Sequence, residues 1–383
     1  MASRSILFAA GGSGGHLFPA IAVAEELHRR DADLRMGIVA SEKEIDRSIL
    51  SRYPFERFHL ASVSPSRFLQ QPWRVLTENW QAWRAAQQLI HEQAPAVVIG
   101  CGGFASVPLV WAAIRAGVPV VLLEQNLIPG RANVWLSRWA KKVCICFEET
   151  LPYLPASVQS RAKEAVVVTG NPVRQSMLPV AAVPERHPKQ LLILGGSQGA
   201  RHLNEAVADW VSTRPAKLEG WQLVHQTGTA DQAAIAQHYS QLAGFMMAEA
   251  VDFIADPSVY YRTATLVIAR AGATSLAELA CLGAPTILVP LPSAARDHQT
   301  ANARWYADRG AAELVMQSES PALTARQLDE VTGPLLINTQ ARNALSQAIT
   351  HTAHPLAAHA VASIITSLID SGSEPSATPE PDR

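Results

Sequence analysis

The chain has 383 residues, of which 48% are hydrophobic and 17% charged, and its formal net charge is -1. This length suffices for two domains of ordinary size, each with its own core. The balanced charge lacks the basic excess typical of nucleic-acid-binding proteins, so no nucleic acid partner is expected. The cysteines, Cys101, Cys144, Cys146 and Cys281, form no C-x-x-C pair. This pattern argues against a zinc site and predicts buried, reduced thiols in a cytoplasmic setting.

Two apolar stretches bear on membrane targeting. The run that follows Met1 is too short for a signal peptide and ends in glycines. Residues 96–114 carry no charge and reach the length of a membrane span. The sequence GCGG at 100–103 and Pro108 interrupt that run, which favours a buried strand, a glycine loop and a helix beginning near Pro108.

Apolar runs of strand length alternate with helical patterns along most of the chain. In the first half, a helix is predicted at 18–30 and strands at 5–10, 35–40, 96–100, 119–124 and 142–147. After a proline-punctuated segment at 179–188, the pattern restarts at 190–211 and continues through 221–228, 264–283 and 285–290. Continuous apolar strands between helices indicate parallel sheets covered on both faces.

The sequence therefore predicts an α/β protein with two similar doubly wound domains and a ligand in the cleft between them. We predict an N-terminal domain over residues 1–165 and a C-terminal domain over 166–345, with the boundary in the region 160–185. A C-terminal helix over 346–370 is expected to pack back on the N-terminal domain. The tail 371–383, rich in Pro, Ser and Glu, is expected to be disordered.

Two glycine loops join a strand to a helix, in ILFAAGGSGGH at 6–16 and in LLILGGSQGA at 191–200. Each places backbone N–H groups at a helix N-terminus, where the helix dipole favours an anion. Neither fits the dinucleotide pattern G-x-G-x-x-G, because Leu17 and Gln198 stand where glycines belong, and neither contains G-K-[ST]. One such loop is as readily a tight turn without a ligand, but two loops facing one cleft favour a ligand with phosphates.

A third motif, ARAGATSLAELACLGAP at 269–285, places Ala273, Thr274 and Ser275 at a helix start, where N–H groups and hydroxyls can bind a ligand. Glu278 lies on the first turns of that helix. Its carboxylate could accept two hydroxyl hydrogen bonds, as from a ribose. The alternative is a carboxylate that only caps the helix or interacts with its dipole.

Together these segments resemble a known family. The motifs are GGSGGHLFPA, GCGGFASVP, LEQN, TGNPVR, LGGSQGA, HQTG, RAGATSLAELACLGAP and HQTANA. Their order and spacing over about residues 5–345 resemble the MurG-type N-acetylglucosaminyltransferases of bacterial cell-wall synthesis. The resemblance implies a GT-B architecture of two Rossmann-like domains facing an inter-domain cleft. It also implies an inverting transfer of GlcNAc from UDP-GlcNAc to the muramyl C4 hydroxyl of lipid I, giving lipid II without a bound metal or other cofactor.

The resemblance also assigns residues to the UDP-GlcNAc donor, which the C-terminal domain should hold. Residues expected along the diphosphate and ribose are Ser197, Gln198, Ala273, Thr274 and Ser275, with Glu278 on the ribose hydroxyls. The backbone of Ile254 is expected to recognise uracil, with Phe253 beside the base. Residues expected around the phosphates and the GlcNAc hydroxyls are Asn126, Arg174 and Gln299.

The acceptor end of the cleft matches the first glycine loop, with Ser13, Gly14, Gly15 and His16. Inverting transfer needs a base near the acceptor hydroxyl. Histidine changes charge near neutral pH, so His16 could take the C4 hydroxyl proton, or it could only bind a loop carbonyl and hold the backbone in place. Glu124 is the competing candidate, and its alternative role is a loop-stabilising ion pair.

Three positions depart from the family pattern. Phe104 stands where a hydroxyl-bearing aromatic residue is common, and Leu123 stands where a histidine usually precedes EQN. The segment RDHQ at 296–299 differs from the usual sequence, which leaves a role for His298 unassigned.

Lipid I is anchored in a bilayer, so the resemblance implies a peripheral enzyme at the cytoplasmic face of the bacterial inner membrane. Residues 66–85 combine tryptophans with arginines, which favours contact with an anionic membrane surface through Phe68, Leu69 and Trp73. The alternative is a helix whose Leu76, Trp80 and Trp83 pack in the core. The segment 133–143 adds Trp135, Trp139, Arg138 and Lys141 to the same domain. Other proteins of cell-wall synthesis are further expected partners.

Two other functions stay open on the same fold. A UDP-GlcNAc 2-epimerase would act on UDP-GlcNAc without an acceptor. A nucleotide-sugar-binding protein without catalysis would bind the donor and be indifferent to loss of His16.

Overall fold

The computed structural model describes residues 5–11, 14–41, 43–60, 72–179, 189–195, 200–242, 246–254, 256–292 and 297–372. Several predicted features lie outside these described residues: Ser13, Ser197, Gln198, Phe68, Leu69 and the tail from residue 373 onward. The chain divides into two compact units. The first comprises residues 1–125, 129–172 and 356–383, and the second comprises residues 126–128 and 173–355.

The first unit is built on a seven-stranded sheet in which every pairing is parallel. Its strands are β1 (Ser5–Ala9), β2 (Arg35–Ala40), β3 (Glu56–His59), β4 (Val97–Gly100), β5 (Val120–Glu124), β6 (Lys142–Ile145) and β7 (Val166–Val168). Its helices up to this point in the chain are α1 (Gly14–Arg30), α2 (Glu44–Leu50), α3 (Pro72–Gln93), α4 (Val107–Arg115), α5 (Arg131–Leu136), α6 (Ala156–Gln159) and α7 (Ala162–Ala165).

The second unit contains a six-stranded sheet that is also parallel throughout. Its strands are β8 (Gln190–Leu194), β9 (Gln222–Gln226), β10 (Met247–Val251), β11 (Leu266–Ala269), β12 (Thr286–Leu288) and β13 (Glu313–Leu314). Its helices are α8 (Arg201–Thr213), α9 (Gln232–Ser240), α10 (Ser258–Thr263), α11 (Ala273–Cys281), α12 (His298–Ala307), α13 (Pro321–Ile337) and α14 (Thr339–His351).

Both sheets share one topology. The strand order is β3-β2-β1-β4-β5-β6-β7 in the first and β10-β9-β8-β11-β12-β13 in the second. The order reverses between β1 and β4 and again between β8 and β11, which makes these pairs the switch points of doubly wound sheets. Chain connections leave a switch point toward opposite sides, so the carboxyl ends of its two strands border an open crevice.

The first sheet is covered on both faces, as continuous apolar strands require. Ile6 and Phe8 of β1 pack with α1 on one face. Leu7 and Ala9 pack with α4 on the opposite face. This alternation follows from the two-residue period of a strand.

The chain ends with helix α15 (Ala357–Gly372), which packs on α1 of the first unit. Ile365 and its neighbours Val361 and Ala362 are fully buried in the core beside α1. Arg30 of α1 donates from Nη2 to the His359 carbonyl at 2.8 Å. The segment 346–370 therefore contains the end of α14 and most of α15, and Pro355 lies between the two helices.

The uncharged run at 96–114 forms the strand, turn and helix predicted for it, since β4 leads into a short 3₁₀ turn at Phe104–Ser106 and then into α4. No helix in the described ranges is long and apolar enough to cross a membrane. The predicted state of the cysteines is also confirmed, because all four are buried and free. Burial raises the pKa of the Cys144 and Cys146 thiols to about 12.

Candidate functional site

His16 lies at the switch point of the first unit. Helix α1 begins at Gly14, and the loop after β4 carries Gly102 and Gly103 with φ of 93° and 73°. A Cβ at Gly102 would lie 3.1 Å from His16 Nδ1, and one at Gly103 would lie 3.2 Å from His16 Nε2. The positive φ and this close approach both favour glycine. The two glycines therefore form a bare backbone surface against which the half-buried imidazole rests.

Glu124, at the end of β5, closes the loop that follows it. Its Oε2 accepts hydrogen bonds from the Gly130 backbone N–H and from Asn133 Nδ2, both at 2.9 Å. The neighbouring Gln125 donates from Nε2 to the Cys101 carbonyl at 2.9 Å, which ties this loop to the loop after β4. Glu124 is only 4% exposed. These contacts assign Glu124 a role in holding the loop, through amide N–H groups.

Asn126 belongs to the second unit, together with residues 127 and 128. Its Oδ1 accepts a hydrogen bond from Nδ2 of Asn302 on α12 at 3.1 Å. Asn302 is fully buried, and it also binds the Leu127 N–H at 3.0 Å and the Ala271 carbonyl at 3.3 Å. Asn302 is not among the predicted site residues, although it lies inside the motif HQTANA.

Arg174 and Glu278 form a buried ion pair in the second unit. Arg174 donates from Nε at 3.1 Å and from Nη2 at 2.8 Å to the same oxygen, Oε1 of Glu278. Both side chains are almost fully buried. Burial raises the pKa of the Glu278 carboxyl, and the Arg174 guanidinium opposes that rise. Two residues predicted at different parts of the donor are thus in direct contact.

The start of α11 provides the polar groups predicted at that motif. Gly272 precedes the helix in an extended conformation, and as a glycine it has no side chain with which to cap the helix. Thr274 is buried and Ser275 half-buried in the first turn, where backbone N–H groups have no carbonyl of the preceding turn to bind. Glu278 follows one turn later on the same helix. This arrangement suits an anion or hydroxyl ligand.

Arg270, just after β11, adds a buried positive charge that the sequence analysis did not assign. Its Nη1 donates to the Val289 carbonyl at 3.0 Å, and its Nη2 donates to Gln317 Oε1 at 2.8 Å. Burial lowers the pKa of Arg270 to about 10. Burial, and secondarily the Arg270 charge, lower the pKa of His202 at the start of α8.

Two predicted donor-site residues each take part in a hydrogen bond between a backbone N–H and a glutamine side chain. The Ile254 N–H donates to Gln226 Oε1 at 3.2 Å, and Phe253 beside it is half-buried. Gln299 accepts the Leu291 N–H through Oε1 at 3.0 Å. Because the carbonyl oxygen of Gln299 faces the backbone, its NH₂ group points the other way.

A buried polar network joins α8 to the end of β9. Asn204 donates from Nδ2 to the Thr227 carbonyl and to Asp231 Oδ2, both at 2.8 Å. Its Oδ1 therefore faces His225 Nε2, 3.1 Å away, and Nε2 must carry the proton. Nδ1 of His225 then accepts from the Tyr239 hydroxyl at 2.7 Å. One neutral tautomer of His225 satisfies every contact.

The three residues that depart from the family pattern lie in different parts of the fold. Phe104 opens the 3₁₀ turn before α4, and Leu123 is buried in the core of the first unit. Leu123 therefore fills a packing position of β5. His298 is the first residue of α12.

The alternative that the tryptophans of α3 pack in the core is wrong for Trp80, which is 54% exposed. The Arg84 guanidinium lies over its ring, 4.9 Å from the centroid, so Trp80 is on the solvent side of α3. Trp83 does pack partly against the core, and Trp73 is 78% exposed. The side chain of Leu76 lies outside the described residues.

Two all-parallel, doubly wound units with polar residues near the carboxyl ends of their strands fit the GT-B class of proteins. The glycosyltransferase family 28 N-terminal domain matches residues 6–145, and the family 28 C-terminal domain matches residues 190–361. A relative from Desulfotalea psychrophila is 37% identical over 344 residues, covering 88% of this chain and 90% of that protein. It is named UDP-N-acetylglucosamine--N-acetylmuramyl-(pentapeptide) pyrophosphoryl-undecaprenol N-acetylglucosamine transferase. The chain belongs to this transferase family within glycosyltransferase family 28.

Solved structures agree with this assignment. The crystal structure of Acinetobacter baumannii MurG has a TM-score of 0.68 and 30% identity, over 95% of this chain and 99% of that chain. A putative UDP-N-acetylglucosamine 2-epimerase from Listeria monocytogenes has a TM-score of 0.67 but only 14% identity, over 97% of this chain and 98% of that chain. The second likeness shows the fold alone. The predicted fold class and family are confirmed.

The His225 network predicts a pH-dependent stability. Burial lowers the pKa of His225 to about 3, far below the value near 6.5 of an unfolded histidine. As the pH falls, the unfolded chain therefore binds a proton at this histidine before the folded chain does. The contribution of neutral His225 to folding stability is present above pH 6.5 and is lost as the pH falls toward 3. Between pH 7 and pH 5 the wild type should lose about 2 kcal/mol of unfolding free energy through this group.

Denaturant unfolding at both pH values measures this effect. His225→Gln should be less stable than wild type at pH 7 but should lose less stability on going to pH 5. His351→Gln, at an exposed histidine, controls for the loss of a histidine elsewhere. Equal pH slopes for His225→Gln and wild type would contradict the prediction.

Proposed function

We propose that this chain transfers GlcNAc from UDP-GlcNAc to the muramyl C4 hydroxyl of lipid I and so forms lipid II. The observation that carries the proposal is the 37% identity over 90% of a relative named for this transfer. The switch points support it, because each unit gathers its polar side chains at the carboxyl edge where α/β sheets bind ligands.

In the proposed reaction, the C4 hydroxyl oxygen attacks the anomeric carbon of GlcNAc as the bond from that carbon to the UDP oxygen breaks. The anomeric configuration inverts, the hydroxyl proton moves to a base, and UDP leaves with an added negative charge. Backbone N–H groups at α11 and the buried charge of Arg270 would stabilise that charge. We assign the donor to the second unit, with Ala273, Thr274, Ser275 and Glu278 along it.

We assign the base to His16. Glu124 is almost fully buried, and its Oε2 already accepts two amide hydrogen bonds that hold the loop. His16 is half-buried at the switch point of the first unit, where its ring is supported on one side by Gly102 and Gly103. Of the two candidates, His16 is thus the more exposed, which supports its assignment as the base.

The activity test uses purified chain, labelled UDP-GlcNAc and a lipid I analogue in detergent, with EDTA present. We expect label in the lipid product and no loss of rate from EDTA. Formation of UDP-ManNAc without acceptor would replace the proposal with the epimerase function. Donor binding without either product would replace it with a binding protein.

The assignment of the base predicts different effects at the two candidates. His16→Gln should lower kcat by roughly 10²-fold or more, leave the KM for UDP-GlcNAc nearly unchanged and remove the acidic limb of the pH–rate profile. Glu124→Gln keeps a carbonyl oxygen for the Gly130 and Asn133 donors, so it should retain that limb. The reverse pattern would make Glu124 the base.

The lipid acceptor implies contact with a membrane, and we place this contact on the first unit. Trp111, Trp135 and Trp139 form an aromatic cluster with ring centroids 4.8 to 5.4 Å apart. Trp135 is 39% exposed and Trp139 is 46% exposed. Exposed basic residues flank this cluster in the chain: Arg115, Arg131, Arg138 and Lys141. Interfacial tryptophans beside cations suit an anionic bilayer surface.

We include the tryptophan-rich helix α3 in the proposed membrane-contacting surface, because it packs on α4, which carries Trp111. Its Trp73 is exposed, in keeping with attachment through the segment 66–85. We place the protein at the cytoplasmic face of the inner membrane as a peripheral enzyme. Other cell-wall synthesis proteins are proposed as partners on the resemblance alone.

Vesicle binding tests the membrane surface. The double variant Trp135→Gln with Trp139→Gln, and separately Trp73→Gln, should sediment severalfold less with vesicles of anionic lipid. Activity on a short-chain, water-soluble lipid I analogue should be retained. Ile337→Gln, which changes an 87% exposed apolar residue of the second unit, serves as the control. Sedimentation equal to wild type in both tryptophan variants would contradict this surface.

A further inference from the structure

The glycine pair against which His16 rests must itself be held in place. Gly102 and Gly103 have φ of 93° and 73°, and glycine has more backbone freedom than any other residue. A Cβ at Gly102 would lie 3.1 Å from His16 Cε1, and one at Gly103 would lie 3.0 Å from His16 Cδ2. The main chain of the pair is thus in close contact with the imidazole, so any shift of that main chain changes the support of the ring.

Gln125 anchors the chain just before the glycine pair. Its Nε2 donates to the Cys101 carbonyl at 2.9 Å and to the Leu123 carbonyl at 3.4 Å. Carbonyls only accept, so the NH₂ group of Gln125 must face them. Gln125 is 3% exposed, so bulk water does not compete for these bonds. The Cys101 N–H also donates to the Ala9 carbonyl at 3.0 Å, and Cys101 is therefore held through both of its main-chain polar groups.

Ser106 anchors the chain at the other end of the pair. Its Oγ donates to the Gly103 carbonyl at 2.9 Å, and its backbone N–H donates to the same oxygen at 3.4 Å. Ser106 is fully buried, and the single proton of its hydroxyl is used in this bond. Two buried side chains, from the loop after β5 and from the 3₁₀ turn before α4, thus hold the segment on which His16 rests.

We propose that Gln125 is a positioning residue that keeps the Gly102–Gly103 main chain against His16 and so holds the imidazole in place for proton transfer. The inference rests on the proposed function, in which His16 is the base. Gln125 acts through the Cys101 carbonyl. Without its NH₂ group that carbonyl loses a buried hydrogen bond, and the flexible glycine pair gains freedom beneath the ring. Proton transfer depends on geometry, and a displacement of about 1 Å can lower a rate by up to about 10²-fold.

The substitution Gln125→Leu removes the NH₂ group with little change of volume. We expect kcat for transfer to a lipid I analogue to fall about tenfold. The KM for UDP-GlcNAc should stay unchanged, because the donor is assigned to the second unit. In a His16→Gln background the same substitution should lower kcat by less than about twofold, since the ring that it positions is gone. Additive losses would overturn the inference, as would an unchanged kcat in the single variant.

Chemical modification of His16 measures the support of the ring without any substrate. Diethylpyrocarbonate acylates neutral imidazoles at rates that depend on their exposure, and peptide mass spectrometry identifies the modified residue. His16 should react severalfold faster in Gln125→Leu than in wild type. The exposed His351 should react equally in both proteins. Equal rates at His16 would overturn the inference.

Gln159→Leu is the matched control, because Gln159 makes the same kind of contact elsewhere in the first unit. Its Nε2 donates to the Leu154 carbonyl at 2.7 Å and to the Pro152 carbonyl at 3.2 Å. Both kcat and the modification rate of His16 should equal wild type in this variant. If Gln125→Leu does not fold, Ser106→Ala replaces it in both measurements, since it frees the other end of the glycine pair.

The two proposals fail in different ways. Wild type that transfers no GlcNAc contradicts the function, and the modification rates of His16 then still decide the positioning. Wild type that transfers GlcNAc, with His16 modified equally in wild type and Gln125→Leu, contradicts the positioning alone.

Discussion

The reversal of strand order in each parallel sheet is the constraint on which the rest of the structure depends. Interior parallel strands satisfy their backbone groups in the ladder, so the chain can expose irregular backbone only at strand ends. At a switch point the two connections turn to opposite faces, and the carboxyl ends stay uncovered. The segments after β1, β4, β8 and β11 lie at these points and all contain glycine. Topology, more than any local sequence, thus determines where ligand-binding groups can lie.

Several polar side chains near the carboxyl ends of the strands are held by main-chain groups. Glu124 accepts the Gly130 N–H, Gln299 accepts the Leu291 N–H, and Asn204 donates to the Thr227 carbonyl. A backbone group has a fixed polarity, so an amide or carboxylate bound to it keeps one orientation. An unsatisfied buried polar group costs about 1–3 kcal/mol, which suffices to exclude the wrong orientation. Main-chain anchoring therefore organises the site before any ligand arrives.

The Arg174–Glu278 pair is organised differently, because two charged side chains anchor each other. Removing two ions from water carries a large penalty that their attraction offsets only with good geometry. Such a pair is therefore weak evidence for stability. A hydroxyl ligand on Glu278 would share the carboxylate with Arg174, whose guanidinium opposes the rise in the Glu278 pKa that burial causes.

The sequence predicts the buried strands well because their apolar runs are continuous, as at β1, β5 and β8. It misses β3 and β10, in which exposed charged residues interrupt the apolar run, and the two-residue β13. All three are edge strands of their sheets. Polar residues are common in edge strands, and here they mask the apolar pattern by which a strand is predicted. Among site residues, glycine motifs reveal loops, but Asn302 and Arg270 depend on contacts that no local pattern encodes. Asn302 meets Asn126 across 176 positions of sequence.

The motif EQN at 124–126 shows how far a sequence motif can differ from a structural unit. Glu124 is held within the first unit by Gly130 and Asn133. Asn126, two residues later, belongs to the second unit and is held by Asn302. The chain thus joins the second unit for residues 126–128 and returns at Pro129. The Glu124 carboxylate thus supports the loop of the first unit, whereas the Asn126 amide is bound by Asn302 on α12. Reading the three residues as one site would merge two roles that the fold keeps apart.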